Sequence, residues 1–237
     1  GTGAAHESRT ATPQTQRPES GLTMRIALIH ALAHSVEPIN TALARDWPEA
    51  QRMNLLDDSL SADLAAQGRG LDAVMHERFA RLAQYAVDCG SQAILFTCSA
   101  FGPCIEAVAR QHAPLPVLKP NEAMVADAVA LGGTVGLVAS FGPTLASMPP
   151  EFPPGTRLHT ALAEGALAAL NGGDGARHDA LVADAALRLK DQGAQVIALA
   201  QFSLARARDA VAARTGLPVL TTVDSAVRAL RQRLKFE

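Results

Sequence analysis

The sequence predicts an α/β protein built as two similar lobes, each a parallel sheet covered by helices. Three observations predict it. Short apolar runs alternate along the chain with longer segments of helical period, which is the signature of successive βαβ units. A stretch of the first half recurs in the second half in the same order. The apolar content is 48% while aromatic residues are only 4%, so the core must be Ala, Leu and Val, as is usual for helices packed on a buried parallel sheet.

Residues 1–23 are rich in Gly, Thr, Ser, Gln and Pro and nearly devoid of apolar side chains. Such a composition does not offset the cost of ordering; it reads as a disordered extension, with the fold starting near Met24. Arg25–His30 is an apolar run closed by a polar residue, hence a first strand. Val36–Asp46 reads as a helix and Gln51–Leu56 as a second strand. Leu71–Cys89 places apolar residues at helical spacing and stops at Gly90, a helix and its terminator. Ala93–Thr97 is a buried strand, followed by a turn and a helix through about Arg110. Pro116–Leu118 is a short strand.

The pattern then starts again. Glu122–Leu131 is a helix closed by Gly132-Gly133, and Thr134–Ala139 is a strand. Leu162–Leu170 reads as a helix closed by Asn171-Gly172-Gly173. His178–Gln192 is a helix stopped by Gly193, and Val196–Ala200 is a strand. Leu204–Arg214 reads as a helix closed by Gly216, Pro218–Leu220 as a strand, and Ser225–Leu234 as the last helix.

The internal repeat aligns Gly90-Ser-Gln-Ala-Ile-Leu-Phe-Thr-Cys98 with Gly193-Ala-Gln-Val-Ile-Ala-Leu-Ala-Gln201. Each copy runs on through a helix to Leu-Pro-Val-Leu, at Leu115–Leu118 and Leu217–Leu220. Any two βαβα units look alike to some degree, but the shared Gly-x-Gln-x-Ile and Leu-Pro-Val-Leu favour a true duplication. The repeat also pairs Ser225–Leu234 with Glu122–Leu131. The expected organisation is therefore residues 24–120 plus 222–237 as the first lobe and 121–221 as the second, Rossmann-like lobes related by a pseudo-twofold. Ligands of open α/β sheets bind outside the carboxyl ends of the strands, so the site is expected in the cleft between the lobes.

The formal net charge is −2, the pI is about 6.4 and no Lys/Arg block is present, which speaks against a nucleic-acid partner. The apolar runs are strand-sized, too short to span a bilayer, and residues 1–23 hold no apolar signal core. Three cysteines, Cys89, Cys98 and Cys104, argue against a disulfide framework and make a reducing cytoplasm the simplest setting. Neither the Cys98-to-Cys104 spacing nor His30 with His34 makes a persuasive metal set, because His30 ends a strand. Gly132-Gly133-Thr-Val-Gly136 precedes its strand instead of following it, so it is no phosphate loop. No cofactor or metal is expected; a homo-oligomer is compatible with the sequence.

Cys98 lies just past a buried strand and before a helix. Helix N-termini lower a thiol pKa and attract anions, so Cys98 is a candidate reactive thiolate; the alternative is a buried, inert cysteine. Cys89 and Cys104 sit on helical faces and read as packing. Ser140, Thr144 and Ser147 follow the strand Thr134–Ala139, where hydroxyls and free N–H groups suit a carboxylate but also suit helix capping. Gln201 and Ser203 occupy the repeat-equivalent place to Cys98. His30 terminates the first strand.

Taken in order, these segments resemble the aspartate/glutamate/hydantoin racemase superfamily. Leu95-Phe-Thr-Cys98-Ser99 is similar to its first catalytic segment. Val135-Gly-Leu-Val-Ala-Ser-Phe-Gly-Pro-Thr144-Leu-Ala-Ser147 is similar to its second-lobe strand and Thr-x-x-Ser, and Ala168-Ala-Leu-Asn-Gly-Gly-Asp174 to the Ala-Leu-x-x-Gly-Asp of hydantoin-racemase-like members. The similarity spans about Met24 to Leu234. It implies a cofactor-independent two-lobed enzyme in which one cysteine from each lobe flanks the substrate α-carbon, one removing a proton and the other returning it to the opposite face. Cys98 matches the first cysteine. The second is expected at Gln201–Ser203, and no cysteine is there.

Relatives with altered cysteine pairs include an arylmalonate decarboxylase, which keeps only the second-lobe cysteine, and maleate isomerase, whose first-lobe cysteine is a nucleophile. The resemblance therefore implies a racemase- or isomerase-like enzyme acting on a small carboxylate, with Cys98 as base, acid or nucleophile. Thr97, Ser99, Ser140, Thr144, Ser147 and His30 are expected to line the substrate site, with Gln201 and Ser203 facing Cys98 across the cleft. A one-cysteine decarboxylase or lyase for a malonate-type acid, and a non-catalytic binding protein on the same scaffold, are the rivals.

Overall fold

The computed structural model describes residues 24–235; the extension expected at 1–23 lies outside them. Among the described residues, eight strands form two four-stranded parallel sheets of identical topology. In the first, β1 (Arg25–His30) lies between β2 (Gln51–Leu56) and β3 (Ala93–Phe96), and β4 (Val117–Leu118) flanks β3. In the second, β5 (Val135–Ala139) lies between β6 (Leu158–Leu162) and β7 (Val196–Leu199), and β8 (Val219–Thr221) flanks β7.

The helices in chain order are α1 (Val36–Asp46), α2 (Ser59–Gln67), α3 (Ala73–Asp88), α4 (Gly102–His112), α5 (Glu122–Leu131), α6 (Gly142–Ser147), α7 (Ala166–Asn171), α8 (Gly175–Asp191), α9 (Arg208–Thr215) and α10 (Thr222–Lys235). None of them is long and apolar enough to cross a membrane.

The inner strands β1, β3, β5 and β7 are buried on both faces, which explains why they read as continuous apolar runs. On the first sheet, Ala27, Ile29, Ile94 and Phe96 pack against α3 and α4 through Met75, Phe79, Ala83 and Ile105. The alternate residues Ile26, Leu28 and Leu95 pack against α1 and α10 through Ile39, Leu43, Val227 and Leu230. On the second sheet, Ile197 and Leu199 meet α8 through Val182, Ala186 and Leu189. Val135, Leu137 and Ala198 meet α5 through Met124, Val125 and Ala128. The helix that follows each sheet's last strand thus covers the other sheet. The two crossing helices are joined where Asp127 of α5 accepts hydrogen bonds from Ser225 (2.7 Å) and Arg228 (2.6 Å) of α10.

The repeat has a structural cause. Gly90 and Gly193 end α3 and α8 with φ of 81° and 104°, a left-handed turn that glycine adopts without a Cβ penalty. Two residues on, Gln92 and Gln195 each tie the sheet's central strand by its first residues. Their N–H groups donate to the carbonyls of Arg25 and Thr134 at 2.8 Å. Their side-chain Oε1 atoms accept from the N–H groups of the same two residues, at 3.3 and 3.0 Å. In Leu-Pro-Val-Leu the proline carbonyls, Pro116 and Pro218, accept from Ile94 and Ile197 at 2.9 Å.

Two expectations need correction, and one element was missed. The segment read as a helix from Leu162 is the strand β6 up to Leu162 and the helix α7 only from Ala166. β6 is an edge strand with exposed His159 and Thr160, so it lacks the apolar run of an inner strand. The helix expected over Leu204–Arg214 is a 3-10 turn, Phe202–Ala207, that becomes regular only at Arg208. α2 was not expected at all; its apolar pair Leu60 and Leu64 gives a short and weak period.

Candidate functional site in the cleft between the lobes

Cys98 stands between β3 and α4, and Gln201 between β7 and the 3-10 turn, each past the carboxyl end of its strand. Together with Leu32, Ser35, Ser61, Thr97, Ser99 and Phe141 they enclose a chamber of only about 10 Å³, room for about one water. Phe141, from the second lobe, packs against the core cluster of the first that contains Cys98 and Phe101. The two lobes are closed on each other here.

The Cys98 thiol is buried, and its Sγ lies 3.8 Å from the Ser61 hydroxyl. Burial pushes its pKa up to about 11, against smaller opposing contributions from the Ala100 N–H and the Ser61 hydroxyl. The helix α4 begins only at Gly102, and desolvation, which disfavours a thiolate, prevails, so Cys98 is a neutral thiol at neutral pH. Cys104 packs within α4, and burial with the nearby Asp72 charge raises it to about 12. Cys89 lies at the end of α3, away from the chamber.

Of the residues singled out by sequence, Thr97, Cys98, Ser99 and Gln201 line the chamber; His30, Ser140, Thr144, Ser147 and Ser203 do not. Ser99 is gripped by the second lobe. Its hydroxyl is 2.8 Å from that of Thr144, and its carbonyl accepts from Ser147 at 3.1 Å. Thr144 and Ser147 thus clamp the Cys98 loop in this closed form. Gln201 Oε1 accepts from the N–H groups of Ser140 (2.6 Å) and Phe141 (3.0 Å). These are the donors expected to greet a carboxylate, and here a side-chain amide oxygen satisfies them.

His30 is fully buried. Its Nδ1 is 2.7 Å from the Thr97 hydroxyl and its Nε2 is 2.9 Å from Asn54 Oδ1. Desolvation lowers its pKa, so the ring is neutral: Nε2–H donates to the Asn54 carbonyl oxygen and Nδ1 accepts from Thr97. His30 fixes the strand end that carries the Cys98 loop. Ser203 lines a different, larger cavity. No group of three or more His, Cys, Asp or Glu able to hold a metal occurs among the described residues.

Sequence reasoning missed Leu32, Ser35, Ser61 and Phe141. Ser61 carried one usable signal, the Asp57-Asp58-Ser59 start ahead of Leu60 and Leu64, which is helix-capping chemistry before an i, i+4 apolar pair. The others reach the chamber only through loop paths.

The sequence profile of the family described as Asp/Glu/Hydantoin racemase matches residues 31–230. The chain belongs to that family. Solved structures of similar architecture include a glutamate racemase from Bacillus anthracis, with a TM-score of 0.74 and 12% identity over 90% of this chain and 82% of that one. An allantoin racemase from Pseudomonas fluorescens gives 0.67 and 17% over 90% and 92%. An aspartate racemase from Picrophilus torridus gives 0.67 and 10% over 89% and 94%. At these identities the structural likeness concerns the fold. No curated protein matches the chain by sequence. Within this racemase-family fold, the place repeat-equivalent to Cys98 holds the amide of Gln201.

Proposed function

We propose that this racemase-family protein is a cofactor-independent enzyme of racemase or isomerase type. Cys98 moves a proton at the carbon beside the carboxylate of a small acid. The observation that carries the reading is the placement of Cys98: a lone thiol in a small inter-lobe chamber, beyond the end of a parallel strand, inside a chain of this family. No ionised side chain lines the chamber. A substrate carboxylate would therefore rely on N–H groups and hydroxyls: those of Ser140 and Phe141 once Gln201 yields them, and the hydroxyls of Ser99, Thr144 and Ser147 once the lobes part.

A second reading is favoured by two observations. Cys98 rests as a neutral thiol, and Gln201 has no proton to exchange near neutral pH. A neutral thiol is a donor, so a reaction needing one protonation suits it better than one needing an acid and a base on opposite faces. In a malonate-type acid, the bond from the central carbon to one carboxylate breaks and carbon dioxide leaves. Its electron pair stays on carbon, Cys98 supplies the proton, and water reprotonates the sulfur.

The test is carried out in deuterium oxide. Aspartate and glutamate enantiomers are followed for α-deuteration and inversion, and a phenyl-substituted malonate for carbon dioxide release. Exchange with inversion from both enantiomers, lost in Cys98→Ala, supports racemization. Deuterated monoacid from the malonate, lost in the same variant, supports the one-proton reading. Turnover undiminished in Cys98→Ala would defeat both. Ligand binding with no turnover on any substrate would favour a non-catalytic scaffold.

A further inference from the structure

A second cavity, far roomier than the chamber, does not contain Cys98. It is a groove of about 540 Å³ between α1, the 3-10 turn Phe202–Ala207, the end of β8 and the start of α10, within the usual range for small-molecule sites. It backs onto the Cys98 chamber: Leu32 and Ser35 line the chamber, while Ala33 and His34 between them line the groove. Likewise Gln201 lines the chamber and Ser203 the groove. The two spaces share walls and no lining residue.

Two features of the groove point to a ligand. The first is Ser203. The residue is 1% exposed and lines the groove, and its Oγ has no hydrogen-bond partner among the described residues. A buried hydroxyl without a partner is unfavourable, and a bound polar group would relieve it. The second is the distribution of unspent charge. Among the described residues Arg208 bonds only Asp224, through one nitrogen at 3.1 Å, which leaves the rest of its guanidinium fork without a partner there. Asp224 is already shared with Arg45. Glu37 on α1, and Asp209 next to Arg208 on α9, have no ion pair among the described residues and also line the groove.

We propose that this groove is a second binding site, which takes a small zwitterion carrying a carboxylate and an ammonium. The carboxylate meets Arg208, the ammonium meets Glu37 and Asp209, and a polar group between them hydrogen-bonds the Ser203 hydroxyl. Neither a simple anion nor a simple cation uses both sets of free groups. Because Glu37 belongs to the first lobe and Arg208 to the second, such a ligand also bridges the lobes.

Calorimetry on the full chain, cross-checked by amide chemical-shift changes, tests this with alanine and alanyl-alanine as probes. N-acetylalanine serves as an anion-only control and alaninamide as a cation-only control. A zwitterion is expected to bind at least tenfold more tightly than both controls. Arg208→Gln and Glu37→Gln, both on the exposed rim, are expected to weaken it roughly tenfold each, about 1.4 kcal/mol, and Ser203→Ala several-fold. Cys98→Ala is expected to leave it unchanged, which separates this site from the reaction proposed above. Binding lost in Cys98→Ala but kept in Arg208→Gln would place the ligand in the chamber and overturn the proposal. Equal binding of either control, or no response to either probe by both methods, would overturn it as well.

Discussion

At Cys98 two physical effects compete over a single thiol. Hydrogen bonds from the Ala100 N–H and the Ser61 hydroxyl favour the thiolate; burial favours the thiol, and here burial prevails, with a pKa of about 11. The thiolate fraction at pH 7 is then on the order of 10⁻⁴. Iodoacetamide labelling of Cys98, followed by peptide mass spectrometry, should rise about tenfold per pH unit and level off only near pH 11. A rate that levels off near pH 7 would show that the thiol is activated.

The same shift is a statement about stability. A group whose folded pKa lies above its ordinary value contributes stability below that ordinary value and loses it as pH rises through the folded one. For Cys98 the window runs from about 9 to about 11. Between those limits the wild type should lose about 2–3 kcal/mol more unfolding free energy than Cys98→Ala. Urea titrations at a series of pH values measure the difference; parallel profiles for the two proteins would contradict the burial argument.

Among the elements, β5 shows how closely helix and sheet approach. A Cβ on Gly136 would lie 3.0 Å from the Ala194 Cβ, 3.0 Å from the Ile197 Cδ1 and 3.1 Å from the Leu189 Cβ. Gly136 is thus a packing glycine that lets α8 seat against the sheet. Gly136→Ala should cost about 1–3 kcal/mol, as overpacking does in a close-packed core. Thermal unfolding should drop by about 2–4 °C per kcal/mol. Gly142, at the start of α6, is the control: nothing lies within 4 Å of a Cβ there, and Gly142→Ala should stay within about 0.5 kcal/mol of wild type. Equal melting temperatures for the two variants would refute the packing account.

For the molecule as a whole, the decisive feature is the exchange of covering helices. α10 lays Val223, Ala226, Val227, Leu230 and Leu234 on the first sheet. The exposed Arg228–Asp127 pair beside it contributes at most about 1 kcal/mol, whereas burying each large aliphatic side chain contributes about 1.5–3 kcal/mol. A chain ending at Thr221 should therefore lose far more than the ion pair: it should bind a hydrophobic dye and lose amide protection in β1. Arg228→Ala alone should change stability by less than about 1 kcal/mol. A truncated chain with wild-type melting would show that α10 is dispensable.

Much of this was written locally. The alternation of apolar runs with helical periods, and the glycines at Gly90 and Gly193, determine the α/β class, the order of most elements and the doubling of the unit. Period and turn chemistry are properties of neighbouring residues, so a sequence displays them. Cys98 was visible for the same reason, as a thiol between a strand and a helix. The neutrality of that thiol was not visible, because desolvation depends on Ser61, Phe141 and Gln201, which reach it from distant parts of the chain. Nor were the clamp of Thr144 and Ser147 on Ser99, the engagement of the Ser140 and Phe141 N–H groups by Gln201, or the separation of Ser203 into another cavity. Each is decided by how two lobes meet, and contacts between lobes leave no period in a sequence.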